Sequence, residues 1–404
     1  MAPFEELRSA IEHLACLDRS SCSPGEQEAA EWIAGALVER GAAASVELER
    51  VHGTYWWPLG ITSAVGAVAG LAARRGHRLA GAAAAAAAVA VAVDELGAGR
   101  RPLRRVLPKK TTANVVAYAG DQAATRTLLV VSHHDAAHTG TFFDPRLTRF
   151  LSERFHSPGD EVPRQPPVMV PIVAAPALVA VAALLGLRRL MLAGAVACAG
   201  VIGSFADMAL RSTVPGANDN LTGVATVLGV AGGLAEDPVE NLRVVLVSTG
   251  AEESLMEGMR AFAARHFADL PAGETSVLCV DTVGSPYLVL PEEEGMFRVR
   301  RYDGGFKELI AECAAREGVV LRRGLRMRLG TDGYLALRHG VPAAMLMSID
   351  RHGTASNYHW PTDTADRVDY GSLADAVRLC LAVVRRLADE AAPEGVSAGE
   401  ELAG

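Results

Sequence analysis

The sequence predicts an α/β fold: a three-layer sandwich with a mostly parallel central sheet, interrupted by two apolar helical hairpins. Three observations carry this. Near-continuous apolar runs, "TLLVVS" (127–132), "LRVVLVSTGAEE" and "TSVLCVDTVG", read as strands buried on both faces. Helical segments separate them, and that alternation favours parallel pairing. The runs end in polar residues (His133 and Asp135, Glu252 and Glu253, Asp281), at the carboxyl ends where such sheets bind ligands.

In chain order, residues 5–41 read as helical with a break near "SSCSPGEQ". There Ser23 can cap a second helix, with Pro24 at its first position and Glu26 at its third. "ASVELER" (44–50) alternates like a strand, and "NVVAYAG" (114–120) is another. "GANDNLTGVATVLGVAGGLAE" is a loop that opens a helix, "GGFKELIAECAAREG" a helix, "PAAMLMSID" a strand and "GSLADAVRLCLAVVRRLADEAA" the closing helix. The expected organisation is a single domain over 1–404, with hairpins at about 56–96 and 167–210 and a frayed tail at 392–404.

Composition excludes some classes. The chain has 404 residues and a formal net charge of -8, with no basic excess to neutralise phosphates, so nucleic acid is not an expected partner. The six cysteines form no C-x-x-C, so neither a disulfide framework nor a cysteine metal site is indicated, and a reduced compartment fits. "MAPFEELRSAIEHLACL" lacks the basic start and apolar core of a secretory signal.

Taken singly, the polar segments are unremarkable. "SHHD" could be surface residues, and "GANDNLTG" a turn with Asp219 or Asn220 as a helix cap. "STGAEES" could be a solvated acidic turn, and "SNYHWPTDTADRVD" a polar loop. Together they deliver imidazoles and carboxylates to one sheet edge. That donor set suits zinc, and two histidines with three or four carboxylates can hold two ions. A paired site also needs a shared carboxylate and a base that is not a ligand, and adjacent glutamates can supply the second need.

In order, "HHD", "GANDNLTGVA", "GAEE", "VDTVG" and "YHWPTDTADRVD" resemble the signature blocks of the co-catalytic zinc aminopeptidases, family twenty-eight of the metallopeptidases. That family also holds glutamate carboxypeptidases and related glutaminyl cyclases. "SPGEQEAAEWIAGALVERG" and "GTDGYLALRHGVPAAML" are similar to its flanking blocks. The resemblance implies zinc ligands His133, Asp219, Glu253, Asp281 and His359, with Asp219 bridging two ions. Asp281 would complete one site with His133, and His359 the other with Glu253. It implies that Glu252 is the general base and Asp135 the carboxylate that orients His133. Asp332 resembles a nearby position that is not a ligand. His134 and His138 match none, while Tyr358 and Trp360 could shape the pocket.

The activity implied is hydrolysis of peptides with a free N-terminus, as an aminopeptidase. The alternatives are a glutaminyl-cyclase-like acyltransferase and an inactive scaffold.

The chain departs from the family by its hairpins, the second of which separates His133 from Asp219. Each hairpin reads as two apolar segments around a short basic turn, near the roughly 20 residues a membrane helix needs. Tyr55, Trp56 and Trp57 look like an interface anchor. The linker "RRPLRRVLPKK" is more basic than the turns, which predicts a membrane-associated enzyme with a cytoplasmic catalytic domain. The alternative is a soluble cytoplasmic protein whose hairpins pack as a four-helix bundle, alone or across a homodimer.

Overall fold

A computed structural model describes residues 4–155, 168–271 and 273–391. The proposed tail at 392–404 lies outside them. The chain opens with α1 (Phe4–Leu14), α2 (Pro24–Glu39) and β1 (Ala43–Val51). The first apolar pair is α3 (Trp56–Arg74) and α4 (Arg78–Leu96), followed by a short α5 (Pro102–Val106). Then come β2 (Lys110–Gly120), β3 (Thr127–His133) and α6 (Pro145–Phe155). The second apolar pair is α7 (Val170–Leu185) and α8 (Arg188–Leu210). The remainder is α9 (Thr222–Glu236), β4 (Arg243–Thr249), α10 (Glu257–His266), β5 (Thr275–Val280), β6 (Tyr287–Leu290), β7 (Glu293–Glu294) and β8 (Arg300–Arg301). It closes with α11 (Gly304–Glu317), β9 (Arg322–Arg323), α12 (Asp332–Arg338), β10 (Ala343–Ile349) and α13 (Tyr370–Ala391).

Eight strands form one sheet in the order β1-β2-β4-β3-β5-β10-β6-β9. Its centre, β4-β3-β5-β10, is parallel throughout, as the unbroken apolar runs require. β1 pairs antiparallel with β2, β2 with β4 and β6 with β10, while β9 joins β6 in parallel. Strands β3 and β10 are buried at every position. Leu128, Val130, Leu246 and Leu278 face a core shared with α1, α2, α9 and α13. Leu129, Val131, Val245 and Val277 face a second core shared with α10 and α12.

The α2 cap forms as expected, with Ser23 Oγ accepting from Glu26 N at 3.1 Å. Glu26 itself turns inward instead of completing the capping box. It accepts from Thr112 Oγ1 at 2.9 Å and from Ala251 N at 2.7 Å.

The four apolar helices pack on one another: α3 against α4, α7 and α8, and α7 against α4 and α8. Three of them (α3, α4 and α8) are long and apolar enough to cross a membrane, whereas α7 has 16 residues. Small residues set their spacing. A side chain at Gly70 would lie 2.9 Å from Met191 O, and one at Gly81 2.6 Å from Ala69 O. Their distal turns meet where Arg78 donates to the carbonyls of Ala183 and Leu184.

The basic linker is not a free charged segment. Arg101 and Arg104 are buried, and both lie against Glu95. Arg104 also pairs with Glu257, whose carboxylate accepts the amides of His52 and Gly53. This network ties the root of the first hairpin to α10.

Candidate metal centre

Three adjacent parallel strands deliver most of the site. β3 ends on His133, β4 leads into Glu252 and Glu253, and β5 leads into Asp281. Asp219 comes from an irregular turn, Ala217–Leu221, that opens α9, and His359 from the loop after β10.

The geometry centres on Asp219. Its Oδ1 lies 3.3 Å from His133 Nε2 and its Oδ2 3.1 Å from His359 Nε2. Each histidine has a further carboxylate: Asp281 Oδ2 is 3.9 Å from His133 Nε2, and Glu253 Oε2 is 3.2 Å from His359 Nε2. Glu252 Oε2 stands 4.0 Å from His133 Nε2. His133, Asp219 and Glu253 bring ligand atoms within 4.8 Å of one another. Asp219 Oδ2 and Glu253 Oε1 are buried with no hydrogen-bond donor. Orphaned buried acceptors facing two imidazoles are what a cation site requires, so the residues fit a metal.

Asp135 Oδ1 lies 3.4 Å from His133 Nδ1. Its carboxylate also accepts the amides of Glu252 at 3.0 Å and Glu253 at 3.1 Å, and the Ser21 hydroxyl at 2.6 Å. One carboxylate thus registers the histidine strand against the glutamate turn. The turn is held from behind by Glu26 on the amide of Ala251, a residue at φ 49.

Two positioning residues went unnoticed in the sequence. Asp363 accepts the amides of Asn218 at 2.8 Å and Asp219 at 3.1 Å, doing for Asp219 what Asp135 does for the glutamates. It lies in the quoted "PTDTAD" stretch, where its position beside His359 was the available signal. Arg19 is fully buried and donates to the carbonyls of Leu14, His134, Pro215 and Gly216. It locks the N-terminal segment to both the β3 end and the Asp219 turn. Nothing local in "LDRSS" marks it.

The other named residues sort clearly. His134 is buried beneath the strand end, its Nδ1 3.0 Å from Ser248 Oγ. Burial lowers its pKa to about 4, so it stays neutral. His138 packs edge-on against Trp56 and contacts Arg211 O at 2.8 Å. Asp332 accepts from the Thr249 hydroxyl. Tyr358 stacks on His359 with ring centroids 3.9 Å apart, and Phe143 packs edge-on against the same ring. Tyr358 lines the cleft, whereas Trp360 is not among its walls.

Burial disfavours every charge here, and neighbours decide the outcome. For Glu252, burial, together with Asp332, Glu253 and Asp281, outweighs His133 and holds the carboxyl well above the ordinary range. Burial likewise raises Asp281 to about 7. For Asp219, burial is overcome by the two imidazoles and the carboxyl is pushed down. For His359, burial is overcome by Glu253 and Asp219, which raise the ring to about 10.

Residues 201–384 match the sequence model of peptidase family M28. The match includes Asp219, Glu252, Glu253, Asp281 and His359, while His133 and Asp135 precede it. No curated protein matches the chain in sequence. Among solved structures, an aminopeptidase from Aneurinibacillus sp. strain AM-1 superposes with a TM-score of 0.54 at 16% identity, covering 96% of this chain and 93% of that one. A glutaminyl cyclase from Tannerella forsythia gives 0.56 at 14%, covering 95% and 98%. A Zn-dependent exopeptidase from Parabacteroides distasonis gives 0.55 at 12%, covering 95% and 97%. The family match and these neighbours support a metallopeptidase-type hydrolase. The resemblance read from the sequence is therefore borne out: residues 201–384 match the model of peptidase family M28, and the chain carries the fold of the aminopeptidases and glutaminyl cyclases it resembles.

Proposed function

We propose that the protein is a di-zinc aminopeptidase that removes residues from peptides with a free N-terminus. The carrying observation is that the two oxygens of Asp219 face different histidines, each with its own second carboxylate. His133, Asp219 and Asp281 would hold one ion, and His359, Asp219 and Glu253 the other. No lysine or arginine pairs with these carboxylates among the described residues, so two divalent cations would balance the buried charge of Asp219, Glu252, Glu253 and Asp281. When bound, the zinc ions would supply Lewis acidity that acidifies water and stabilises a developing oxyanion.

Glu252 is the proton carrier in this reading. It takes a proton from the attacking water and returns it to the leaving amine. Burial and the neighbouring carboxylates raise its pKa, the direction that makes a carboxylate a better proton acceptor. Asp135 fixes its backbone, and Asp363 that of Asp219, so base and bridge are held from opposite sides.

The test is metal analysis together with digestion of a peptide library. Two zincs per chain with stepwise release of N-terminal residues is the expected result. Conversion of N-terminal glutamine peptides without hydrolysis would instead establish the cyclase alternative. Loss of neither activity in Glu252→Ala would overturn the assignment of the base.

We also propose membrane association through α3, α4, α7 and α8, whose outward faces are apolar. The side of the membrane is a separate matter. With Arg101 and Arg104 buried, the linker retains Arg100, Arg105, Lys109 and Lys110. The distal turns expose Arg74, Arg75, Arg78, Arg188 and Arg189. The charge asymmetry behind the cytoplasmic expectation is therefore small. Protease protection of the catalytic half in sealed vesicles tests that placement.

A further inference from the structure

The cleft above the candidate metal centre does not end in the catalytic half. A cavity of about 270 Å³ touches His133, Asp219, Glu252, Glu253, Asp281 and His359 at one end. Its floor is Met296, Met327, Leu329, Met345 and Met347, with Phe143 at the side. Its remaining wall comes from the hairpins: Tyr55, Leu59, Ile172, Val201, Phe205 and Met208. Beyond the cluster, no charged side chain lines it among the described residues. The one phenol of the hairpin wall points away from service to a ligand, because Tyr55 Oη donates to Met208 Sδ at 3.2 Å. Met208 and Val201 are seven residues apart on α8, so the apolar wall climbs about 10 Å into the bundle. Thioethers on the floor can adapt to ligands of different shape.

We propose that the base of the four-helix bundle is the apolar part of the substrate site. It receives an apolar chain, longer than a leucine side chain, on a substrate whose scissile amide lies at the cluster. The hairpins are then specificity elements as well as anchors. A charged side chain would be stripped of water there with no partner, and is excluded. This inference rests on the hydrolase reading for the position of the scissile group, but the pocket itself can be tested without catalysis.

The experiment uses the full-length protein in detergent and two series. Binding of straight-chain alkylamines, methylamine to hexylamine, is followed by calorimetry. Hydrolysis is followed on aminoacyl anilides carrying alanine, norvaline, norleucine and 2-aminooctanoate. Affinity and kcat/KM are expected to rise about threefold to fourfold per methylene. Val201→Trp, which fills the wall, should flatten both slopes. Val201→Ala should move the optimum to a longer chain, which also covers the case of a misfolded tryptophan variant. Val196→Trp, on the outer face of α8, should leave both slopes as they are. A flat series in the unmodified protein, or slopes indifferent to both Val201 variants, would overturn the pocket. A clear binding slope with no anilide cleaved would leave the pocket standing and remove the hydrolase reading instead.

Discussion

The catalytic half and the helical bundle bury their residues in opposite senses. In the sheet, Leu128, Val131, Leu246, Val247 and Leu346 are inside, and the helices that cover them turn polar faces to water. In the bundle, alanine, glycine and single larger residues such as Val179 and Met191 are inside. The large apolar residues point outward: Val68 is 66% exposed, Val181 54% and Val196 63%. Water selects the first arrangement, because burying large apolar groups is the driving force. It gives no reason for the second. Small residues within and aliphatic residues without is how helices pack in lipid, where close backbone contact replaces the hydrophobic effect. That contrast is what the proposed membrane association predicts, and the candidate metal centre lies where the two halves meet.

The sharpest way to separate the halves is chemical. Glu252→Gln should lower kcat by about a hundredfold to ten-thousandfold. Circular dichroism, metal content and membrane partition should be unchanged, since the residue is neither a proposed ligand nor part of the bundle. A loss of metal in this variant would move Glu252 into the ligand set.

Glu294 offers a pH test within the catalytic half. It is fully buried, and burial raises its carboxyl to about 8. The folded form therefore keeps its proton where the unfolded chain has lost it. Its contribution is fully present below about pH 4.5 and is lost as pH rises through about 8. Glu294→Gln should remove that loss, on the order of 4 kcal/mol across the window. Denaturant melts of both forms from pH 5 to 9 would show the curves diverging upward in pH. Parallel curves would mean that the charge is already balanced.

The bundle's solvent is tested by charge on its outer face. Val68→Asp or Val196→Asp should cost about 2.5–3.5 kcal/mol of membrane insertion. If the bundle stands in water, the same changes should fall within about 0.5 kcal/mol. The fraction pelleting with membranes distinguishes these outcomes.

Asp135→Asn tests the link between histidine and glutamate turn. An amide cannot serve as a charged acceptor for His133 and both backbone amides together. Zinc affinity is expected to fall about tenfold to a hundredfold, measured by competition with a chelator.

The smallest effects concern helix spacing. Gly70→Val should cost about 1–3 kcal/mol, because its side chain would meet Met191 O and Ala195. Gly60→Ala, in the same helix with nothing within 4 Å, should instead stabilise by about 0.5–1 kcal/mol. Thermal unfolding in detergent compares the two.

Much of the site was legible because its parts are local. A strand ending in His133-His134-Asp135, a paired glutamate and a terminal aspartate each announce themselves by type and by place at a strand end. The parallel sheet followed from apolar runs buried on both faces. The hairpins were visible as charge-free segments. Less legible were side chains whose role depends on a distant backbone. Arg19, Asp363 and the inward Glu26 act on carbonyls or amides far along the chain, and only Asp363, close to His359 in sequence, had a neighbour that could signal it. The burial of Arg101 and Arg104 in the basic linker was illegible for the same reason, since the carboxylates that meet them belong to α4 and α10.

The sequence alone determined the strand ends, the kinds of donor they carry and the presence of four apolar helices, because these are set by residue type and short-range periodicity. Tertiary structure decided which imidazole faces which carboxylate, how Asp135 and Asp363 hold the cluster, and that the hairpins wall the cleft. Those outcomes depend on segments brought together from distant parts of the chain, and contact between them is a property of packing that no local pattern encodes.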